Sequence, residues 1–279
     1  MTTAPTPAAA ARPIGIFDSG IGGLTVARAV AQHLPHERLV YFGDTAHLPY
    51  GEKSTAAIQA YAVKICDVLL RQHCKLILIA CNSASAAAYE LVREYVGSKA
   101  VVVGMIDPVV QYVGQHYAGR PVGLIGTKQT VGSNIYRKKI DQLDQGVDLH
   151  ALATPLLVPM IEEGFFAGRV SEEIIRTYLD HPALQGIDAL LLACTHFPLI
   201  KPQMEAYYQG RVAVLDPSDV VAATVAEALA ARQLLASAPA EGVGPAHHFY
   251  VSDFTRSFEE STRIFFGQEV QLEHYPLWE

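Results

Sequence analysis

Short, almost wholly apolar runs alternate along this chain with longer segments of helical periodicity. The runs are Ile14–Phe17, Leu39–Phe42, Leu76–Ala80, Ala100–Val103, Val122–Ile125, Ala189–Ala193 and Val212–Leu215, all rich in Val, Ile and Leu. Runs of that length, apolar at successive positions, predict strands covered on both faces, as in a parallel sheet. Between them Thr25–Gln32, Thr55–Gln72, Ala84–Tyr95, Glu172–Leu179 and Val220–Leu235 carry helical spacing, the last reading as an amphipathic helix packed on a sheet. Strand–helix alternation predicts a doubly wound α/β architecture.

Polar residues gather where the runs end. The sequence reads Asp18-Ser19-Gly20, Gly43-Asp44-Thr45, Cys81-Asn82-Ser83, Gly126-Thr127 and Cys194-Thr195-His196 at five such places. In open parallel sheets the carboxyl ends of the strands line the ligand crevice, so these groups are expected on one side of the molecule. None of the five contains Lys or Arg.

Two of these ends echo each other. Residues 76–85 read LILIACNSAS and residues 190–199 read LLLACTHFPL, with the cysteines 113 residues apart. That is about one modest domain, and it predicts two similar α/β halves, each presenting one cysteine. A cysteine at a helix N-terminus sits in a field that favours its thiolate, and the free backbone N–H groups there can hold a carboxylate. Two such thiols across a cleft supply a base on one face of a bound molecule and an acid on the other, as racemisation requires. Buried core cysteine is the competing reading for each taken alone. Cys66 and Cys74 lack such a setting and are assigned to structure.

Composition narrows the classes. Half of the 279 residues are hydrophobic, 18% are charged, and the net charge is −7. That describes a globular chain and argues against nucleic-acid or anionic-membrane partners. The four cysteines contain no C-x-x-C pair, so neither a structural metal site nor a dithiol motif is expected, and free thiols imply a reducing compartment. Residues 1–12 are Ala/Pro-rich and read as a loose tail rather than a signal peptide, and no stretch is long and apolar enough to span a bilayer, so a cytoplasmic protein is expected. His247-His248 follows a Gly/Pro-rich loop and reads as solvated, with a weak metal contact conceivable.

The chain also resembles glutamate racemases of the aspartate/glutamate racemase family. The resemblance runs along nearly its whole length after the tail, on GIFDSGIGGLTVARAV (15–30), YFGDTAHLPYG (41–51), ACNSAS (80–85), VPMIEEG (158–164) and ACTHFPL (193–199). It implies two pseudo-symmetric, flavodoxin-like lobes with the site between them. The first lobe would take residues 13–104 plus 217–279, the second 105–216. It implies racemisation of glutamate without pyridoxal phosphate, metal or other cofactor, a homodimer, and D-glutamate supply for peptidoglycan. Cys81 would act on D-glutamate and Cys194 on L-glutamate. Asp18 would assist Cys81 and His196 would assist Cys194. Asp18, Ser19, Tyr50, Gly51, Asn82, Ser83, Thr195 and His196 would bind substrate, with Asp44 and Glu162 as supporting carboxylates and Thr130 as a further contact. Ser83 and Phe197 stand where many members carry Thr and Tyr.

Other readings remain open on the residues alone. Gly20, Gly22 and Gly23 suggest a dinucleotide loop, but the third glycine of that fingerprint would fall at Thr25. Asp18 also suits a helix cap, and His196 a backbone hydrogen bond. A racemase of aspartate or a hydantoin shares the two-cysteine plan, although aspartate racemases tend to carry Glu where this chain has His196. A cysteine hydrolase would need only one thiol, and a non-catalytic binder of acidic amino acids would need neither.

Overall fold

The computed structural model describes residues 7–166, 168–238, 245–254 and 262–279. Among the described residues ten strands form two sheets. They are β1 (Ile14–Asp18), β2 (Leu39–Gly43), β3 (Leu76–Ile79), β4 (Val101–Gly104), β5 (Pro121–Gly126), β6 (Asp148–Ala153), β7 (Ala189–Ala193), β8 (Ala213–Leu215), β9 (His248–Val251) and β10 (Leu272–His274). The first sheet runs β10-β9-β2-β1-β3-β4 and the second β6-β5-β7-β8. Every strand pairing is parallel.

The two sheets share one topology. Each begins at an inner strand, steps to one side, then crosses to the other side and continues outward: β2-β1-β3-β4 in one, β6-β5-β7-β8 in the other. Where the direction reverses, the loops leaving the two adjacent strands part and open a crevice. In the first sheet that point lies between β1 and β3, with Phe17 beside Ile79. In the second it lies between β5 and β7, with Gly126 beside Ala193. Cys81 and Cys194 each follow the third strand of their sheet, so the sequence echo is a topological equivalence.

Strand periodicity divides the interior. Ile14, Ile16, Leu76 and Leu78 face one apolar core that continues into the second sheet through Ile125 and Leu192. Phe17, Phe42, Ile77 and Ile79 face the other way, onto Ile65 and Leu69 of the helix Thr55–Arg71. Cys66 and Cys74 belong to that second core, and burial pushes both thiols up to about 12. The helix Ser218–Ala230 packs against the helix Leu24–His33.

Several sequence expectations need correction. The helix from Val220 does not reach Leu235: it stops at Ala230, and Gln233 turns the chain at φ +56°. Pro7–Ala10, placed in the loose tail, form a helical turn whose Ala10 carbonyl accepts from Lys75 Nζ at 2.5 Å. Residues 1–6 of that tail lie outside the described residues. His247 is half-buried and accepts the Leu39 N–H through Nδ1 at 3.1 Å, while His248 opens β9 and pairs with Glu273 at 2.9 Å. Among the described residues no helix is long and apolar enough to cross a membrane.

Candidate active site

Cys81 lies two residues past β3 and caps the helix Asn82–Val96, its Sγ accepting the Ala84 N–H at 3.4 Å. Ser19 Oγ lies 3.8 Å from the same sulfur. Cys194 follows β7, and its Sγ lies 3.8 Å from His196 Nδ1. Cys81 and Cys194 both line one narrow cavity. Cys81 is 6% exposed and Cys194 7%, so access is by this cavity and not across open surface.

Most of the expected substrate contacts line that cavity: Ser19, Tyr50, Gly51, Asn82, Ser83, Thr195 and His196. Four others support it from behind. Asp18, wholly buried at the end of β1, accepts the Gly20 and Gly23 N–H groups through Oδ2, both at 3.1 Å, while Oδ1 has no partner. It is not the cap of the helix Leu24–His33, whose N-cap position is Gly23 with no side-chain cap bond; it holds the N–H of that glycine and keeps a free oxygen. Burial raises its pKa, against the lowering effect of nearby His196 and of those backbone donors. Asp44 does not reach the cavity. It accepts from the Tyr50 hydroxyl at 2.6 Å, the Ser252 hydroxyl at 2.7 Å and the Trp278 indole N–H at 2.7 Å, so it ties a cavity loop to the C-terminal segment. Glu162 accepts from His196 Nε2 at 3.0 Å. Thr130 sits behind Thr127, whose Oγ1 is 3.1 Å from its own, and does not line the cavity.

The electrostatics differ between the two sulfurs. Burial, reinforced by the Asp18 carboxylate, pushes the Cys81 thiol well above its ordinary range, and the Ala84 N–H only partly offsets this. His196 is also buried, which disfavours its cation, but contacts with Cys194 and Glu162 outweigh that and push it up to about 10. The cavity lining contains no Lys, Arg, Asp or Glu among the described residues, so a bound carboxylate would meet neutral donors and one histidine. Asn82 Nδ2 is such a donor, buried and without a protein partner.

Three further residues shape this place, of which only Thr127 stood among the strand-end groups expected at the crevice. Thr127, at the end of β5, lines the cavity where β1 in the other sheet ends in Asp18; the rule of strand ends was the signal for it. Gly22 lies so close to the second lobe that a Cβ there would come within 2.4 Å of His196 Cε1. Thr25, where a dinucleotide loop would need glycine, has its hydroxyl 3.0 Å from the Thr195 carbonyl and so binds the loop of Cys194 to the first lobe. No sequence signal marked the last two. Among the described residues no group of three His, Cys, Asp or Glu could hold a metal ion.

Two cysteines just past equivalent strands thus line one small cavity together with Ser, Thr, Asn, Tyr and His side chains. Residues 24–225 match the model of the Asp/Glu/hydantoin racemase family, and the chain belongs to that family of isomerases. Among its relatives, the glutamate racemase of Chlorobaculum tepidum is 39% identical over 258 residues, 92% of this chain and 93% of that protein. Glutamate racemase of Neisseria meningitidis serogroup A is 38% identical over 260 residues, 93% of this chain and 94% of its own. The crystal structure of glutamate racemase from Francisella tularensis in complex with D-glutamate has a TM-score of 0.88 at 36% identity, covering 96% of this chain and 99% of that one.

Proposed function

We propose that this enzyme interconverts L- and D-glutamate by moving a proton at Cα between Cys81 and Cys194. The observation that carries the reading is the pair of cysteines, one just past a strand of each sheet, lining a shared cavity. One sulfur, as thiolate, takes the Cα proton and becomes a thiol. The electron pair left on carbon spreads into the adjacent carboxylate, held by neutral donors that include Asn82 Nδ2 and Thr195. The opposite thiol then delivers its proton to the other face and is left as thiolate. Atoms and charge balance, and the sulfurs have exchanged protonation states.

Each sulfur needs a partner that resets it. Asp18, raised by burial and electrostatically coupled to Cys81, takes and returns the proton of that thiol. His196, steadied by Glu162, does the same for Cys194. By the family resemblance Cys81 acts on D-glutamate and Cys194 on L-glutamate. The same resemblance supports a homodimer in the cytoplasm, working without cofactor and supplying D-glutamate for peptidoglycan.

Purified enzyme incubated with L-glutamate in D₂O tests the reading. Deuterium should enter Cα while optical rotation decays to zero. Aspartate, tried in parallel, should react far more slowly. Single Cys81→Ser and Cys194→Ser variants should each lose full racemisation. Retention of wild-type turnover by either variant would refute the two-thiol mechanism and favour a single-cysteine chemistry.

A further inference from the structure

We propose that Tyr136 is a positioning residue that fixes the orientation of the Asn82 side-chain amide and thereby aims its NH₂ group at a substrate carboxylate. The inference rests on the proposed acidic amino-acid substrate and extends it to a residue outside the cavity lining.

An amide side chain has two orientations related by a half-turn, one presenting oxygen and the other NH₂. Asn82 is 2% exposed and lines the cavity at the first position of its helix. Its Oδ1 accepts from the Tyr136 hydroxyl at 2.7 Å, and its Nδ2 has no protein partner. Burial pushes the Tyr136 hydroxyl far above its ordinary pKa, so it keeps the proton it donates. With the oxygen engaged, the NH₂ group is the part left for a ligand. A flipped amide would set its oxygen against an anion and leave the tyrosine without its acceptor.

The bond also crosses the molecule. Asn82 follows β3 of the first sheet, whereas Tyr136 lies on the helix Ile135–Leu143, between β5 and β6 of the second. Beside it Ser83 Oγ and Thr127 Oγ1 form a second bridge between the lobes at 2.8 Å. The amide is therefore set correctly only while the lobes are closed along this seam. Tyr136 touches no reacting atom, so its loss should appear in substrate affinity before it appears in turnover.

The test is a double-mutant cycle of Tyr136→Phe and Asn82→Ala, read by kinetics with both enantiomers and by calorimetric titration with D-glutamate. Tyr136→Phe alone should raise KM and Kd roughly tenfold, the worth of one hydrogen bond to a charged group, with kcat held within about twofold. In the Asn82→Ala background the same change should leave both constants unaltered, because the group it orients is gone. If the two effects multiply, Tyr136 does not act through Asn82 and the inference falls. Asn82→Asp supplies a second check. Tyr136 would still hold one oxygen, the other would face the anion, and KM should rise beyond that of Asn82→Ala; a smaller rise overturns the proposed orientation. Binding of D-glutamate without turnover by the unmodified enzyme would sink the racemase reading alone, leaving the binding cycle to decide this one.

Discussion

Gly22→Ala is a substitution whose consequence for the cavity follows from the geometry. A Cβ at this position would lie 2.4 Å from His196 Cε1, 2.5 Å from Nδ1 and 2.8 Å from Thr195 Oγ1. Carbon atoms prefer about 3.5–4.0 Å, so the overlap with the ring is on the order of 1 Å. The ring cannot swing aside freely. It is 4% exposed, its Nε2 is held by Glu162 at 3.0 Å, and its Nδ1 faces Cys194. Either the imidazole shifts by about that distance or the loop carrying Gly22 backs away from the second lobe. A misplacement of about 1 Å in catalytic machinery costs on the order of 10²-fold in rate, or about 2.7 kcal/mol of barrier. Overpacking of a filled site adds a stability loss of about 1–3 kcal/mol. Initial rates from optical rotation, starting from each enantiomer, measure the first effect, and thermal unfolding measures the second. Enantiomers have equal free energies, so kcat/KM must fall by the same factor in both directions, an internal check on the assay. Gly132→Ala, where a Cβ meets nothing within 4 Å, is the control and should be silent. A Gly22→Ala enzyme with kcat/KM within threefold of wild type and an unchanged melting temperature would refute the argument that this glycine exists to admit His196.

Glu162→Gln keeps an acceptor for His196 but removes the charge. Its expected effect is to bring His196 down from about 10 toward its ordinary 6.5, so the alkaline limb of the pH–rate profile should move toward neutrality. Stability follows with a definite sign. In the wild type the folded state keeps a proton that the unfolded chain releases near 6.5, so this contribution is complete below 6.5 and is lost as pH rises through about 10; chemical denaturation across that window should show a smaller loss in the variant. An alkaline limb that does not move would break the link between Glu162 and His196. Trp278→Phe removes the indole N–H that Asp44 accepts at 2.7 Å, a hydrogen bond to a charged group worth about 1.5–3 kcal/mol. Tyr50 shares that carboxylate, so both the melting temperature should fall and KM should rise. Because Trp278 is the sole tryptophan of the chain, its fluorescence in the wild type should also respond to D-glutamate. Unchanged stability and KM in the variant would show that the C-terminal segment does not brace the site.

What the sequence revealed and what it hid divide along burial. All seven apolar runs are strands: five lie inside a sheet, where a parallel strand is covered on both faces and must be apolar throughout, and the other two, β4 and β8, end a sheet but keep an unbroken apolar run. The missed strands β6 and β10 lie at sheet edges. β6 is paired only with β5 and reads DLHALA, with Asp148 exposed and four of its other residues half-buried, so no continuous run marks it. β10 is three residues long and exposes two of them. The helix Ile106–His116 was hidden by Pro108, which reads as a breaker yet sits in the first turn, where the missing N–H costs nothing. The helix from Ser218 was read too long because Ala231, Leu234 and Leu235 continue its composition. Its stop is the left-handed turn at Gln233, with no glycine to announce it, and it is followed by the Ala236 N–H, which Glu37 accepts at 2.8 Å.

The site shows the same division in sharper form. Most polar groups that line the cavity lie just after strand ends, Ser19 after β1, Asn82 and Ser83 after β3, Thr127 after β5, Thr195 and His196 after β7, while Tyr50 and Gly51 come from the longer loop beyond β2. Any reader of the strand pattern can collect them, because the end of a strand is fixed by where apolar residues cease. The groups that aim them come from the opposite lobe, and their sequence distance carries no signal: Tyr136 reaches Asn82, Thr25 reaches Thr195, Gly22 makes room for His196. These contacts exist only because two sheets of one topology close on each other. A site built between two such sheets therefore has its cavity groups written locally in each half and their alignment written in the seam between them. Substitutions at the seam should spare the core and the thiols and still degrade the geometry on which proton transfer depends.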